Sequence, residues 1–391
     1  MGMDAGTSRA DLAMEDYVAL SADVLEANRG RVHELTARLV ALYASCGPRE
    51  IRLVASGSSY NSCVAIRPFM ERMLGVRVTV LAPSTYLIEL NRLECYAHDA
   101  FELFVSQSGC STNIIEALRE ASRREHATIG LTGNLESDMR DEADELIEWG
   151  VGNETVDFVT LGVATLMQFL ALFAIEAAAV CGVIGAEERA SWVEQMACVP
   201  GLHRGVQQRT RALMDAEPQA FLAPGPAFFC GAGSVYGVAL EGGLKWQETL
   251  KAPAMVYEPE EFIHGPNMQL NPDYLAFFID SAAEPGRVLD IYRATREVTN
   301  RAYLVSAYSA PAVDDTHVIN TESSVDGALA PLFLIPFFQL IASHAMRVLD
   351  CEETHPLFKR FEQRVHCKTD DYDEIMKQKL AAARACSESA R

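Results

Sequence analysis

The chain has 391 residues, enough for about two domains of ordinary size. Hydrophobic residues make up 49% and charged residues 22%, which is typical of a folded protein and not of a disordered one. With 33 basic and 54 acidic residues, the formal net charge is −21. This charge disfavours binding to nucleic-acid phosphates or anionic lipids, so we expect neither nucleic acid nor a membrane surface as a partner.

The ten cysteines are scattered, with no CxxC pair and no Cys/His cluster at zinc spacing, so we expect reduced thiols and no metal site. Residues Met1–Glu15 lack the basic and apolar blocks of a signal peptide, so we expect a cytoplasmic location. The apolar run Leu161–Ile184 is interrupted by Gln168 and Glu176 and has no basic flank. It favours a buried or dimer-interface helix over a membrane span.

Along the chain, a helical N-terminal segment precedes short apolar runs that alternate with helical patterns. This alternation is typical of an α/β fold with parallel strands and crossover helices. In the first half, strands are predicted near Arg52–Ala55, Val76–Leu81, Glu102–Val105, Thr128–Leu131 and Glu145–Glu148. In the second half, they are predicted near Ala227–Cys230, Ala254–Tyr257, Leu275–Ile279, Ala302–Val305 and Thr316–Ile319.

The two halves resemble each other in sequence. The segment Ala55–Tyr60, ASGSSY, aligns with Gly231–Tyr236, GAGSVY, at an offset of 176 residues. An internal repeat of this kind predicts two similar domains. We place an N-terminal segment at 1–34, the first domain at 35–190, the second at 205–368 and a tail at 369–391, which we expect to be an exposed or frayed helix without chemistry.

Two serine loops follow neighbouring strands of the first domain, namely Ser56–Ser59 and Ser106–Thr112. Hydroxyls, glycines and helix N-terminal N–H groups can together hold a phosphate. Serines of this kind also serve as turn formers and N-caps, but two such loops at adjacent strand ends favour the anion site. Neither loop contains Arg or Lys, so we expect local dipoles to hold the phosphate.

The second half has lost the serine pattern, because Asp280-Ser281-Ala282 stands where the first half has Ser-Gln-Ser. Instead, a helix predicted over Ala239–Leu250 places Glu241, Lys245 and Glu248 on one face. These three residues form either a solvated salt-bridge stripe or a functional cluster. His264, followed by Gly265-Pro266, is either an ordinary loop histidine or a proton donor.

These motifs resemble the SIS (sugar isomerase) family over roughly residues 35–368. The resemblance implies two tandem SIS domains, each a five-stranded parallel sheet flanked by helices in a flavodoxin-like three-layer sandwich. It implies phosphate binding at positions that match the family's CGTSY-like and SQSGxT-like motifs: Gly57, Ser58, Ser59, Ser106, Gln107, Ser108 and Ser111. The helix and the HGP tripeptide resemble the isomerase part of glucosamine-6-phosphate synthase. Glu248 would then move a proton between sugar C1 and C2, assisted by Lys245.

The resemblance also implies that His264, supplied by the partner subunit in relatives, opens the sugar ring. The active unit would then be a homodimer with a shared active site. A carboxylate can serve as the base when apolar neighbours such as Trp246 and Leu250 desolvate it, and a histidine titrates in the right range to protonate the ring oxygen. This chemistry needs no metal and no other cofactor.

Several residues depart from the synthase pattern. No glutaminase segment precedes the repeat, so we expect no ammonia delivery from glutamine and no full synthase reaction. Met255 stands where synthases carry a carboxylate. The segment His355–Arg360 resembles the HPLxxR tail of fructosamine-6-phosphate deglycases, and Lys359 falls near the synthase tail lysine. Glu241, His355 and Lys359 are therefore further candidate substrate contacts.

The leading hypothesis is a deglycase that cleaves a 6-phosphorylated ketosamine to a hexose 6-phosphate and an amine. The first alternative is an aldose-ketose isomerase or a deaminase of an amino-sugar 6-phosphate. The second, from another class, is a sugar-phosphate sensor without turnover. The short and non-basic N-terminal segment disfavours a sensor fused to a DNA-binding module.

Overall fold

The computed structural model describes residues 12–92, 100–282, 286–308 and 315–389. Within this part, the chain forms two compact units. The first unit comprises Met1–Cys63, Met70–Ala186 and His355–Arg391, and the second comprises Val64–Phe69 and Glu187–Thr354.

The described residues form ten strands and fourteen α-helices. The strands are β1 (Glu50–Ala55), β2 (Arg77–Leu81), β3 (Ala100–Ser106), β4 (Ile129–Thr132), β5 (Glu145–Glu148), β6 (Ala227–Gly231), β7 (Ala254–Tyr257), β8 (Leu275–Asp280), β9 (Ala302–Ser306) and β10 (Val318–Asn320). The helices are α1 (Met14–Arg29), α2 (Val32–Cys46), α3 (Gly57–Leu74), α4 (Pro83–Arg92), α5 (Thr112–Arg123), α6 (Leu161–Val180), α7 (Ala186–Ala216), α8 (Ser234–Leu250), α9 (Pro259–Phe262), α10 (Arg287–Arg296), α11 (Pro331–Leu334), α12 (Pro336–Leu349), α13 (Phe358–Glu362) and α14 (Tyr372–Ser389).

Each unit contains one five-stranded parallel sheet. The first sheet has the order β2-β1-β3-β4-β5, and the second has the same order in its own strands, β7-β6-β8-β9-β10. This is the flavodoxin-like order, in which ligands bind outside the carboxyl ends of the strands at the point where the order reverses. The predicted α/β fold is therefore confirmed, and all ten predicted strands are present.

The central strands and one helix form the core of the first unit. Strand β3 is buried from Phe101 to Ser106, as expected for a parallel strand covered on both faces. Helix α6 is buried along most of its length and packs against α1 and α2. Gln168, which interrupts its apolar run, donates a hydrogen bond of 2.7 Å to the Leu25 carbonyl. This bond satisfies a buried amide that would otherwise be costly.

Two stretches are long and apolar enough to cross a membrane, Leu161–Val180 and Pro331–Leu349. Their most apolar windows are 83% and 78% buried within the protein, as in core helices. The prediction of a buried helix in the first stretch is therefore confirmed.

The C-terminal segment differs from its predicted place. The sequence predicts that residues 355–368 belong to the second domain, whereas the described part of the segment that begins at His355 belongs to the first unit. The physical reason is a short antiparallel bridge between Lys368 and Ser111, flanked by backbone hydrogen bonds. The C-terminal segment is therefore attached to a serine loop at Lys368 and Thr369, and the residues that follow form α14.

Candidate active site

The two serine loops lie side by side at the carboxyl ends of β1 and β3. These strands are paired in register, with Ala55 opposite Val105. Each loop leads directly into a helix, α3 or α5. Gly57 begins α3 with a φ of 57°, a left-handed conformation that favours glycine. The predicted convergence of both loops is thus present in the first unit.

The serines of these loops do not cap their helices. Neither Ser56 nor Ser111, the two N-cap residues, makes a side-chain cap hydrogen bond. Ser56 instead accepts a 2.8 Å hydrogen bond from Asn113, which ties one loop to the other. Ser111 lies 3.0 Å from the Ser106 hydroxyl. A simple N-capping role therefore does not explain these two serines.

The serine loops combine buried hydroxyl groups with backbone N–H groups that already have hydrogen-bond partners. Ser58 and Ser59 are 7% and 8% exposed on the first turn of α3. In the other loop, the N–H groups of Gly109, Cys110 and Thr112 already bond to Ser106, Ser108 and Cys367, respectively. The expected anion cradle of free helix N–H groups is therefore only partly present.

The Gln107 side chain forms its hydrogen bond with Glu154 and not with a loop hydroxyl. Its amide donates a 2.6 Å hydrogen bond to Glu154. Its Oε1 packs so closely against Gly162 that a Cβ at that position would clash with it. Glu154 also accepts the backbone N–H groups of Thr160, Leu161 and Gly162 at the start of α6. The Gln107 side chain thus joins the serine loop to α6.

Sequence reasoning missed Lys368, which reaches the same loop from the C-terminal segment. Its Nζ donates a 3.0 Å hydrogen bond to the Ser108 hydroxyl. The two residues are separated by 260 positions, so no local pattern could have indicated the contact. The sequence does show that residues 355–368 are basic, with four Lys or Arg residues against one Glu.

Helix α8 of the second unit carries the acidic and basic residues predicted to share one face. Lys245 is fully buried, and its Nζ lies 3.2 Å from Glu241 and 2.6 Å from Glu248. Burial opposes the positive charge, but the two carboxylates outweigh it and raise the pKa of Lys245 above its ordinary value. Because Glu241 and Lys245 are both buried, a solvated salt-bridge stripe does not describe this cluster.

Glu248 is the accessible member of the cluster, with a side chain that is 33% exposed. Trp246 is buried and donates to the Gly225 carbonyl, and Leu250 is also buried. The Glu248 carboxylate accepts a 2.6 Å hydrogen bond from the Lys245 ammonium.

His264 lies in an exposed turn after α9. Its backbone N–H bonds to Glu261, and the following Gly265 has a φ of 133° that favours glycine. The Glu258 side chain accepts two N–H groups at the start of α9 and so fixes the entry to this turn. Met255, on β7, packs against an apolar cluster that contains Phe228.

The remaining candidates, His355 and Lys359, lie in the exposed part of the C-terminal segment. His355 accepts the Leu357 N–H, and Lys359 belongs to α13. In the second unit, Asp280 occupies the last position of β8, the position that Ser106 occupies in β3. Burial raises the pKa of the Asp280 carboxyl.

Comparison with known families identifies this arrangement. A model of the SIS domain matches residues 47–175 and 224–307, which together make up more than half of the chain. The chain belongs to the SIS domain family. The first matched segment contains all five strands of one sheet and the second contains β6, β7, β8 and β9 of the other, so the predicted family is confirmed.

Among curated proteins, the chain is similar to the glutamine–fructose-6-phosphate aminotransferase (isomerizing) of Neisseria meningitidis serogroup B. The two are 28% identical over 313 residues, which cover 76% of this chain and 48% of that protein. The chain thus spans about half the length of this relative. The similarity covers parts of both SIS units.

Two solved structures share the fold. A candidate phosphosugar isomerase of Clostridium difficile 630 superimposes with a TM-score of 0.82 at 20% identity, covering 92% of this chain and 99% of that one. The C-terminal domain of the glucosamine-fructose-6-phosphate aminotransferase of Francisella tularensis gives 0.74 at 18% identity, covering 88% and 98%. At this identity, both likenesses concern the SIS fold alone.

Proposed function

We propose that this SIS protein is an enzyme that processes a 6-phosphorylated sugar. The observation that carries the proposal is the pairing of a fully buried Lys245 with an accessible Glu248. Burying an ammonium costs several kcal/mol, so a sensor that only binds would gain little from it. In an enzyme, the lysine would hold an accessible carboxylate in position to act as a base.

In the proposed reaction, the phosphate is bound by the serine loops through Ser58, Ser59, Ser106, Ser108 and Ser111. Gly57 and Gln107 shape these loops. His264 donates a proton to the ring oxygen as the cyclic sugar opens. Each of these groups can form the hydrogen bonds that its role requires.

The finer proposal is a deglycase acting on a ketosamine 6-phosphate. Glu248 removes a proton from C1, which carries the amine, and returns a proton to C2, while the C2 oxygen gains a proton and the amine nitrogen loses one. The C1–N bond becomes an imine, which water hydrolyses to an aldehyde while the amine leaves. The support is the HPL tail at His355–Leu357 with Arg360, together with Glu248 and His264. His355, Lys359 and Glu241 are proposed to contact or order the substrate.

An isomerase or deaminase is the second candidate. It is favoured by the helix that carries Glu241, Lys245 and Glu248, which resembles the isomerase part of glucosamine-6-phosphate synthase. The aminotransferase relative is also named as isomerizing. The same proton transfer between C1 and C2 serves this reaction without an amine on C1. The proposed location is the cytoplasm, where sugar phosphates are formed.

A coupled assay separates these functions. The enzyme is incubated with a 6-phosphofructosyl amine, fructose 6-phosphate or glucosamine 6-phosphate, and the products are identified by mass spectrometry. Release of glucose 6-phosphate from the fructosyl amine supports the deglycase. Conversion of a simple sugar phosphate instead supports the second candidate, and tight binding without product at any pH supports the sensor.

We also propose a homodimer with a shared active site. If Glu248 and His264 of one site come from different subunits, mixed dimers of Glu248→Gln and His264→Ala contain one intact site. Random mixing would then restore about a quarter of the activity, because half of the dimers are mixed and each has one working site. A mixture that stays inactive, although mass spectrometry detects mixed dimers, would contradict the shared site.

A further inference from the structure

A short stretch of the C-terminal segment pairs with the second serine loop. The Thr112 N–H and hydroxyl bond to the carbonyls of Cys367 and His366 at 3.3 and 2.7 Å. In the other direction, the Thr369 N–H bonds to the Cys110 carbonyl at 2.9 Å. These bonds hold Lys368, which lies between them, next to the start of α5.

Lys368 has no carboxylate partner among the described residues. Its Nζ donates to Ser108 and lies 5.1 Å from the centre of the Tyr372 ring. The chain has 54 acidic residues, yet none of those described pairs with this half-buried lysine. The positive charge of Lys368 is therefore uncompensated. Burial lowers the pKa of Lys368, as expected for an ammonium that has lost water without gaining a counter-ion.

The Ser108 hydroxyl is oriented by its partners. Its oxygen accepts hydrogen bonds from both Lys368 and the Cys110 N–H. With both acceptor positions occupied, the hydroxyl proton is available for donation to another group. The pair therefore offers an ammonium and an O–H donor to an anion at the start of α5.

We infer that Lys368 is the cation that binds the phosphate of the substrate, supplied to the serine loops by the C-terminal segment. The inference rests on the proposed function, because it assigns a partner to the sugar phosphate. The phosphate dianion would replace the missing counter-ion, and charge-assisted hydrogen bonds of this kind are the strong ones. The loops themselves contain no Arg or Lys, so the C-terminal segment completes the site.

The test compares Lys368→Met and Lys368→Arg with Lys377→Met in the full-length protein. Lys377 is an exposed lysine on α14 with a 3.9 Å ion pair, so it serves as a matched control. Binding of fructose 6-phosphate, fructose and inorganic phosphate is measured by calorimetry. We expect Lys368→Met to weaken binding of fructose 6-phosphate about 30-fold, or about 2 kcal/mol, with partial recovery in Lys368→Arg and no change in Lys377→Met.

Two further readouts separate phosphate binding from other roles. On the enzyme's own substrate, Lys368→Met should raise KM with little change in kcat, since a phosphate contact persists from ground state to transition state. A loss of kcat at unchanged KM would overturn the inference. The melting temperature of unliganded Lys368→Met should not fall, because the variant removes a desolvated charge. If it does fall, the affinity of Lys368→Arg for fructose 6-phosphate is the deciding measurement. Partial recovery supports the inference, and no recovery overturns it.

The outcomes also distinguish this inference from the proposed function. If the unmodified protein binds neither fructose 6-phosphate nor inorganic phosphate, the proposed function fails. If it binds fructose 6-phosphate and Lys368→Met binds it equally well, the proposed function stands and the role of Lys368 is refuted.

Discussion

The two SIS units share one sheet order but differ in the charged groups at their strand ends and in the pairing of their buried lysines. At the end of the third strand, the first unit has Ser106 and the second has Asp280. Each unit also contains a lysine withdrawn from water. Lys368 has no carboxylate partner among the described residues and its pKa is lowered, whereas Lys245 lies between two carboxylates and its pKa is raised.

This difference is the basis for the proposed division of functions between the two units. The first unit provides hydroxyls and an ammonium without an anion, which suits an anionic group from outside. The second unit carries its own anions, which suits proton transfer. Asp280 accepts the Ala282 N–H at 2.9 Å, so the second unit's strand end is occupied by its own carboxylate. We therefore expect phosphate binding in the first unit only.

The largest expected effect concerns Glu248. Glu248→Gln keeps the shape of the side chain but removes its ability to accept a proton. We expect kcat to fall by about 10²–10⁴-fold, while substrate affinity measured by calorimetry changes little. Glu297→Gln, at an exposed glutamate of the same unit, should retain full turnover. Retained turnover in Glu248→Gln would remove the proposed base.

The next effect concerns the stability of the second unit. Lys245→Met removes the ammonium that lies 3.2 Å from the buried Glu241, and breaking a buried pair of this kind costs about 3–5 kcal/mol of unfolding free energy. Chemical denaturation measures this cost. The double variant Glu241→Gln with Lys245→Met should recover part of it, because the uncompensated charge is gone. A single variant as stable as the original protein would show that the buried pair has little structural role.

A charge exchange between the units tests the comparison itself. Ser106→Asp introduces into the first unit the carboxylate that the second unit carries. Repulsion of the phosphate should weaken binding of fructose 6-phosphate about 100-fold or more, whereas Ser106→Ala should cost about tenfold, the loss of a hydrogen bond. Equal losses for the two variants would show that charge does not decide phosphate binding there.

The smallest effect is a pH dependence. Because the pKa of Lys368 is lowered, its charge is lost at a lower pH than in an ordinary lysine, and phosphate affinity should decline as pH rises through that value. The groups near it are the thiols of Cys110 and Cys367 and the phenol of Tyr372. Burial raises the pKa of Cys110, and it raises that of Tyr372 to about 12.

Calorimetry at increasing pH checks this decline. Lys368→Met should bind with an affinity that no longer falls on the alkaline side. The same decline in Lys368→Met would assign it to another group. Unliganded Lys368 disfavours the folded state below its pKa, so the variant should be at least as stable near neutral pH.

The sequence predicts the fold well because parallel strands buried on both faces appear as continuous apolar runs. The repeat between Gly57 and Gly233 also indicates the duplicated sheet. Some contacts could not be predicted. Helical spacing puts Glu241 and Lys245 on one face but does not say whether that face is buried. The contact between Lys368 and Ser108 depends on the path of the whole chain, and the direction of the Gln107 side chain depends on Glu154.

Calorimetric titration with fructose 6-phosphate tests the central claim, that one of the two SIS units binds the phosphate. We expect about one molecule to bind per chain. We also expect Ser106→Asp to weaken binding about 100-fold or more and Asp280→Asn to retain it. Two molecules per chain, or binding that survives Ser106→Asp and disappears in Asp280→Asn, would contradict the division between the two units.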